Sequence, residues 1–150
     1  MLRDDLQNSL KEAMKQRDTK TVNAVRLIIA GQKEKDVEAR GKGLEKAGDD
    51  VLLAMMQTMI KQRNESVRIY KENGREDLAA KELDEIEVIS RFLPKQMSAE
   101  EIEAAVKDAV VQTGAAGIKD MGKVMGALKG KYAGQMDFGA ASAVIKKILA

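Results

Sequence analysis

A chain of 150 residues, with 44% hydrophobic and 33% charged residues, has the composition of a soluble globular protein of one or two small domains. Its formal net charge of +2 is too small for the whole chain to act as a strong electrostatic binder. The absence of cysteine and histidine excludes disulfides, thiolate chemistry and the commonest general base and metal ligand. We therefore expect no metal and no cofactor.

The first part of the chain has the apolar spacing of four helices. We predict a helix over about residues 2–17, a second capped by Asp18 or Thr19, a third capped by Asp49 or Asp50 and ended by Asn73-Gly74, and a fourth over about residues 76–92. Glycines between residues 41 and 48 indicate a polar loop between the second and third helices. Pro94 closes the fourth helix, because the residue before a proline resists helical geometry, and it marks a domain boundary.

Three shorter helices are predicted after Pro94. Ser98 and Glu101 have the spacing of a capping box that opens the fifth helix. Gly114 and Gly117 interrupt the chain, and helices over about residues 119–132 and 138–149 follow, the last capped by Asp137. Strand signals are nearly absent. The predicted fold class is all-α, with a four-helix amino-terminal domain (1–95) and a small three-helix carboxy-terminal domain (96–150).

Four charged residues project onto helix faces that are otherwise apolar. They are Arg26, Arg63, Glu82 and Glu85. Isolated buried charges are too costly to persist, whereas paired ones persist, so we predict a structural ion-pair cluster inside the amino-terminal domain. A polar substrate site is the alternative interpretation. Arginine partners keep carboxylates ionised, which disfavours acid–base chemistry. No other set of side chains has a catalytic pattern, and we predict no catalytic residue.

The segment from Met121 to Tyr132 carries two different stripes. Its apolar residues follow helical spacing, while Gly122, Gly126 and Gly130 recur every four residues. Each glycine inside a helix costs about 0.8–1 kcal/mol relative to alanine, which indicates that close approach by another backbone offsets the loss. That backbone is either a neighbouring helix of the same chain or a nucleic-acid phosphate chain.

The residues from Lys119 onward form a basic region. Six lysines against two aspartates give this region a net charge of +4. Exposed lysines on an ordinary solvated face are the alternative. Few aromatic residues are available to stack on bases, so a folded RNA recognised by shape is favoured over a single strand read by sequence.

Several motifs resemble the GatB/YqeY family over essentially the whole chain. They are residues 61–66, residues 70–82, the stretch from Glu85-Ile86 to Leu93-Pro94, Met121-Gly122-Lys123-Val124-Met125 with Gly134, and residues 144–149. The likeness is to a free-standing YqeY-like protein, similar to the tail of the B subunit of the glutamine-dependent tRNA amidotransferase. The resemblance implies tRNA as a partner, bound weakly by this chain alone, and an aminoacyl-tRNA synthetase or amidotransferase as a protein partner.

Carried over by position, the resemblance implies a set of RNA-binding residues. They are Lys119, Gly122, Lys123, Gly126, Lys129 and Lys131, with Lys146 and Lys147 at the edge of the set. The family is labelled as a carbon–nitrogen ligase with glutamine as amido-N-donor, but this chain lacks the amidotransferase catalytic core.

Three functions are consistent with the sequence. The first is a tRNA-binding accessory module without catalysis of its own, the second is the carbon–nitrogen ligase of the family label, and the third is a protein-interaction adaptor. We expect a monomer without a membrane partner, because no apolar run reaches the length of a membrane span. We also expect a cytoplasmic protein, since the amino terminus lacks an apolar signal segment and the chain has no cysteine.

Overall fold

The computed structural model describes all residues 1–150, and it contains helices and no strands. Seven α-helices follow one another: α1 (Leu2–Lys15), α2 (Thr19–Gly41), α3 (Asp49–Glu72), α4 (Glu76–Ser90), α5 (Ala99–Thr113), α6 (Met121–Tyr132) and α7 (Phe138–Leu149), with a short 3-10 helix (Ile118–Asp120) before α6. The all-α prediction is therefore confirmed. The helices group into two compact units, Met1–Pro94 and Lys95–Ala150. None of the helices combines the length and apolarity that a membrane crossing needs.

Helix ends in the first unit follow local backbone chemistry. Asp18 caps α2 as predicted, since its carboxylate accepts a hydrogen bond from the Thr21 amide at 3.2 Å. α1 ends at Lys15, two residues earlier than predicted, and Arg17 then adopts a left-handed conformation with φ of 56°. The predicted cap of α3 is wrong, because Gly48 is the cap. Asp49 and Asp50 lie in the first turn, where the helix dipole stabilises negatively charged carboxylates.

Helix ends in the second unit match the predicted caps. The Ser98 hydroxyl accepts from the Glu101 amide at 3.1 Å, and the Glu101 carboxylate accepts from the Ser98 amide at 2.8 Å. Asp137 caps α7 by accepting from the Gly139 and Ala140 amides. α6 begins at Met121 rather than at residue 119, because the three preceding residues form the tighter 3-10 turn.

An aliphatic core holds the first unit together. α1 packs along α2, α3 packs along α4, and α2 also contacts α4. The fully buried side chains include Leu6, Ile28, Leu52, Met56 and Ile89, one or more from each helix. This packing leaves α2 and α3 in less extensive contact with each other than α3 and α4.

The buried carboxylate of Asp36 joins three segments of the first unit. It accepts two hydrogen bonds from the Arg3 guanidinium of α1, at 2.7 and 2.8 Å, and one from the Ala47 amide at 2.9 Å. Arg3 also donates to the Ala47 carbonyl at 2.7 Å. The hydrogen bonds from Arg3 and Ala47 hold the pKa of Asp36 well below its usual range. The loop over residues 42–48 is therefore fixed against α1 and α2 just before α3 begins.

The second unit has its own aliphatic core, formed by one face of each of its helices. Val106 of α5, Val124 and Leu128 of α6 and Ile145 of α7 are almost completely buried. The start of the unit is tied to the loop after α6, because the Met97 amide donates to the Gln135 carbonyl at 2.9 Å.

Asp36→Asn should destabilise the protein and change its response to acid. The folded-state pKa of Asp36 is lowered, so its stabilising contribution is present above the unfolded-state pKa of about 3.9 and is lost as the pH falls toward the folded value. We expect the variant to unfold at a lower temperature than wild type at pH 7. Between about pH 4 and about pH 2 its unfolding temperature should fall less than that of wild type. Thermal unfolding followed by circular dichroism across this range measures both effects.

Glu34→Gln is the matched control, because Glu34 lies on the same helix but is exposed. It should leave both the unfolding temperature and its pH dependence close to wild type. An Asp36→Asn variant that unfolds like wild type at every pH would contradict the role given to this carboxylate.

Candidate nucleic-acid interface

α6 has one buried face and one open face. Val124 and Leu128 are buried in the second core, and Met121, Met125 and Tyr132 pack against the same core. The core therefore fixes the rotation of the helix. The residues on its other side, which include all three glycines, are directed to solvent.

The glycine stripe of α6, defined as Gly122, Gly126 and Gly130, is not covered by the other helices of the second unit. A Cβ atom built on each of these glycines would meet nothing within 4 Å. Within this unit, the interpretation in which the stripe packs against a neighbouring helix is therefore wrong. Since no internal contact offsets the loss of helix propensity, the stripe is a surface on which an external backbone can approach closely.

Lysines border this stripe on both sides. At about 100° per residue the three glycines span an arc of about 80°, with Lys129 about 20° beyond one edge and Lys123 about 20° beyond the other. Lys119 is exposed in the 3-10 turn just before α6. The result is a narrow strip without side chains between exposed ammonium groups, which is suited to a phosphate backbone.

The remaining predicted lysines are less closely associated with the stripe. Lys131 lies about 100° around the helix from Gly130, and its ammonium is 5.4 Å from the centroid of the Tyr132 ring. Lys146 and Lys147 are exposed on a different helix, in the last turn of α7. The structure thus groups Lys119, Lys123 and Lys129 with the glycines. Lys131, Lys146 and Lys147 lie at other positions.

The predicted ion-pair cluster of the first unit contains one short ion pair. Arg63 Nε donates to Glu85 Oε2 at 2.8 Å, and Arg63 Nη1 donates to the Met59 carbonyl at 3.1 Å. Both charged side chains are less than one-fifth exposed. Arg26 is exposed and Glu82 is half-buried, and neither belongs to this pair. The pair of Arg63 and Glu85 therefore links α3 to α4.

Sequence reasoning missed the pair formed by Arg3 and Asp36. A signal was present, because Asp36 follows Ile29 by seven residues and so falls on the apolar face of α2. Its partner lies 33 positions away in the chain, and no local pattern links the two residues.

A model of the family described as "Yqey-like protein" matches residues 3–149, which is nearly the whole chain. The chain belongs to the YqeY-like family. This finding confirms the resemblance on which the tRNA expectation rests, and it accounts for both units within one family match.

The curated relatives of this YqeY-like protein include proteins named altered inheritance of mitochondria protein 41. That of Lachancea thermotolerans is 32% identical over 103 residues, covering 69% of this chain and 54% of the relative. That of Candida glabrata is 35% identical over 88 residues, covering 59% and 47% respectively. The relative from Saccharomyces cerevisiae is 32% identical over 88 residues, covering 59% and 46%. The matches thus span about half the length of these relatives.

The names of these relatives overturn the expectation of a cytoplasmic location, because each is named as mitochondrial. The expectation was wrong for a chemical reason. A chain without cysteine is compatible with any reducing compartment. The absence of cysteine therefore does not distinguish the cytosol from another reducing compartment.

Replacing all three glycines of the stripe by alanine should stabilise this YqeY-like protein. The positions are open, and each alanine should favour the helix by about 0.8–1 kcal/mol, or about 2–3 kcal/mol together. Denaturant unfolding of the full chain measures the gain.

Gly114→Ala is the matched control, because Gly114 ends α5 with φ of 68°, where an alanine is strained. This variant should lose about 1 kcal/mol. A triple variant that is less stable than wild type would show that the stripe has a structural role inside the chain.

Proposed function

We propose that this YqeY-like protein binds tRNA through the glycine stripe of α6 and the lysines beside it, as a non-catalytic accessory module. The observation that carries the proposal is the open, lysine-bordered strip on a protein of nearly neutral charge. A helix that retains three solvent-facing glycines gives up stability, and binding of a close-fitting partner explains why that surface stays bare.

The distribution of charge favours a polyanion over a protein helix as that partner. Lys123 and Lys129 lie on opposite borders of the stripe, and no acidic residue lies between Met121 and Tyr132. An apolar helix docked there would leave these ammonium groups beside a desolvated contact, whereas phosphates on both sides would pair with them.

The available side chains favour recognition of RNA shape. Tyr132 and Phe138 pack against the core of the second unit, so they are not free to stack on unpaired bases. A smooth strip edged by lysines suits a sugar–phosphate strand or the wide, shallow minor groove of an A-form helix. Few charges take part, so micromolar or weaker affinity is expected.

We assign RNA binding to the carboxy-terminal part of the chain. In this assignment residues 1–95 form a four-helix domain, and residues 96–150 form a separate three-helix domain that carries the RNA surface. The relation to the tail of the tRNA amidotransferase B subunit belongs to the same proposal, with an aminoacylation or amidation enzyme as the protein partner. Ligase chemistry is left to that partner, because Arg63 and Glu85 are paired with each other.

Reversing the charge of both border lysines should weaken tRNA binding. We expect the Lys123→Glu, Lys129→Glu double variant to raise the Kd for purified tRNA at least tenfold at low salt. The slope of log K against log salt concentration should fall by about one for each phosphate that the variant no longer neutralises. Fluorescence anisotropy over a salt titration measures both quantities.

Lys107→Glu is the matched control, since Lys107 is an exposed lysine of α5 in the same unit. This variant should bind tRNA with an unchanged salt slope. Equal weakening by the control and the double variant would indicate a general charge effect and contradict the proposed surface. A wild-type protein that does not bind tRNA even at low salt would refute the function itself.

A further inference from the structure

The second unit contains an open cavity between α5 and the segments that lie beside it. Its volume is about 500 Å³, which is in the range of cavities that hold a small molecule. One wall is a stripe of α5, and the other walls are the end of α6, the turn after it and the segment before α5. The cavity lies wholly within residues 95–150 and contains none of the three stripe glycines, so it is a different feature from the proposed RNA surface.

The walls of this cavity are joined by hydrogen bonds. Gln96 Nε2 donates to the Gly134 carbonyl at 2.6 Å, and the Met97 amide donates to the Gln135 carbonyl at 2.9 Å. These bonds tie the segment before α5 to the turn after α6. The α5 wall carries Ala104, whose small, exposed side chain leaves the space open. The cavity is therefore formed by the fold itself, and a ligand does not have to order it.

Three charged side chains line the cavity, and none of them belongs to an ion pair. The Glu101 carboxylate accepts a hydrogen bond from the Ser98 amide at 2.8 Å, and the Asp108 carboxylate accepts one from the neutral Gln112 side chain at 3.2 Å. Lys95 is exposed and has no carboxylate partner. The cavity thus presents two carboxylates and one ammonium whose charges are not neutralised within the chain. A ligand with the reverse set of charges would neutralise all three.

The spacing of these charges limits the ligand. Asp108 follows Glu101 by seven residues, so the two lie on the same face of α5, about 10 Å apart along its axis. Lys95 is only three residues from Ser98, to which Glu101 is bonded. The two positive charges of the ligand must therefore be separated by about two helical turns, with its negative charge near one of them.

One further cation lies near the cavity. The Lys131 ammonium is 5.4 Å from the centroid of the Tyr132 ring, and Lys131 does not line the cavity. This ammonium lies over the aromatic ring and forms no ion pair with Glu101 or Asp108. Lys131 therefore leaves both carboxylates to a ligand.

We propose that this cavity binds a free basic α-amino acid, with arginine as the best fit. The ligand carboxylate pairs with Lys95 and its α-ammonium with Glu101. Its guanidinium pairs with Asp108, because a guanidinium and a carboxylate match in shape. An extended arginine side chain is long enough to reach from one carboxylate to the other. Its methylene groups lie on Met97 and Ala104, which belong to the apolar part of the lining.

Calorimetric titration of the full chain at low salt tests the proposal with arginine and three analogues. L-arginine should bind saturably. Agmatine lacks the carboxylate, and citrulline carries a neutral urea in place of the guanidinium, so each should bind at least fivefold more weakly than arginine. Nα-acetyl-arginine methylamide represents an arginine within a protein chain. It should also bind at least fivefold more weakly, because it lacks both the α-ammonium and the carboxylate.

Variants of similar shape assign each charge of the cavity. Asp108→Asn should lower the affinity for arginine at least tenfold and remove the preference for arginine over citrulline. Lys95→Gln should remove the preference for arginine over agmatine. Glu100→Gln is the matched control, because Glu100 is an exposed glutamate of α5 outside the cavity, and this variant should bind arginine as wild type does. Circular dichroism checks that each variant is folded.

Four results would overturn the proposal. They are a lack of saturable binding of arginine by wild type, equal binding of arginine, agmatine and citrulline, equal weakening by Asp108→Asn and Glu100→Gln, and binding of the acetylated methylamide as tightly as free arginine. The last result would identify the occupant as an arginine side chain of a protein partner. None of these outcomes depends on whether α6 binds tRNA.

Discussion

The carboxylate of Asp36 bonds at once to the Arg3 guanidinium of α1 and to the Ala47 amide just before α3. No disulfide is available to fix the connection between α2 and α3, because the chain has no cysteine. A loop over residues 42–48 would otherwise be held by few contacts. The buried, charge-assisted hydrogen bonds of Asp36 supply that constraint, and they fix where α3 starts relative to α2. The arrangement of α3 against α4 depends instead on their own extensive packing and on the pair of Arg63 and Glu85.

The second unit is fixed by a different means, which is the apolar face of α6. Val124 and Leu128 anchor that face in the core. A helix anchored in this way has one permitted rotation, and the positions every four residues from Gly122 then point to solvent. The same apolar contacts that stabilise the unit thus determine that the glycine stripe and its bordering lysines are accessible. The stability of the unit and its proposed function thus both depend on α6. Its buried face is apolar, and its exposed face carries glycines of low helix propensity.

Much of the fold could be predicted because its signals are local. Helix starts are marked by capping hydrogen bonds that span two or three residues. These bonds are made by Asp18, by Ser98 with Glu101, and by Asp137. Pro94 disfavours helical geometry at the residue before it for an equally local reason, although α4 ends at Ser90, two residues before the predicted end. Predictions failed where two local signals competed. An aspartate near a helix start indicates either the cap or a position in the first turn. Asp49 and Asp50 were predicted as the cap, but they lie in the first turn and Gly48 is the cap.

The sites were harder to predict because they depend on tertiary contacts. Helical spacing identified the glycine stripe, yet it left open whether another helix covers it, and only the packing of α6 decides that. The same spacing grouped Arg26 with Arg63, although the structure leaves Arg26 exposed. The assignment to tRNA rests on the family resemblance together with the open lysine-bordered strip.

The most direct test of RNA binding by α6 is the nuclear magnetic resonance spectrum of the isotope-labelled protein during a titration with tRNA at low salt. We predict that the amide signals of Gly122, Gly126 and Gly130 shift or broaden first, together with those of Lys123 and Lys129, and that added salt reverses the change. Signals of the buried face of α5 should stay in place. If tRNA instead perturbs other residues while the three glycine signals remain unchanged, the glycine stripe is not the RNA-binding surface and the proposed function of α6 is wrong.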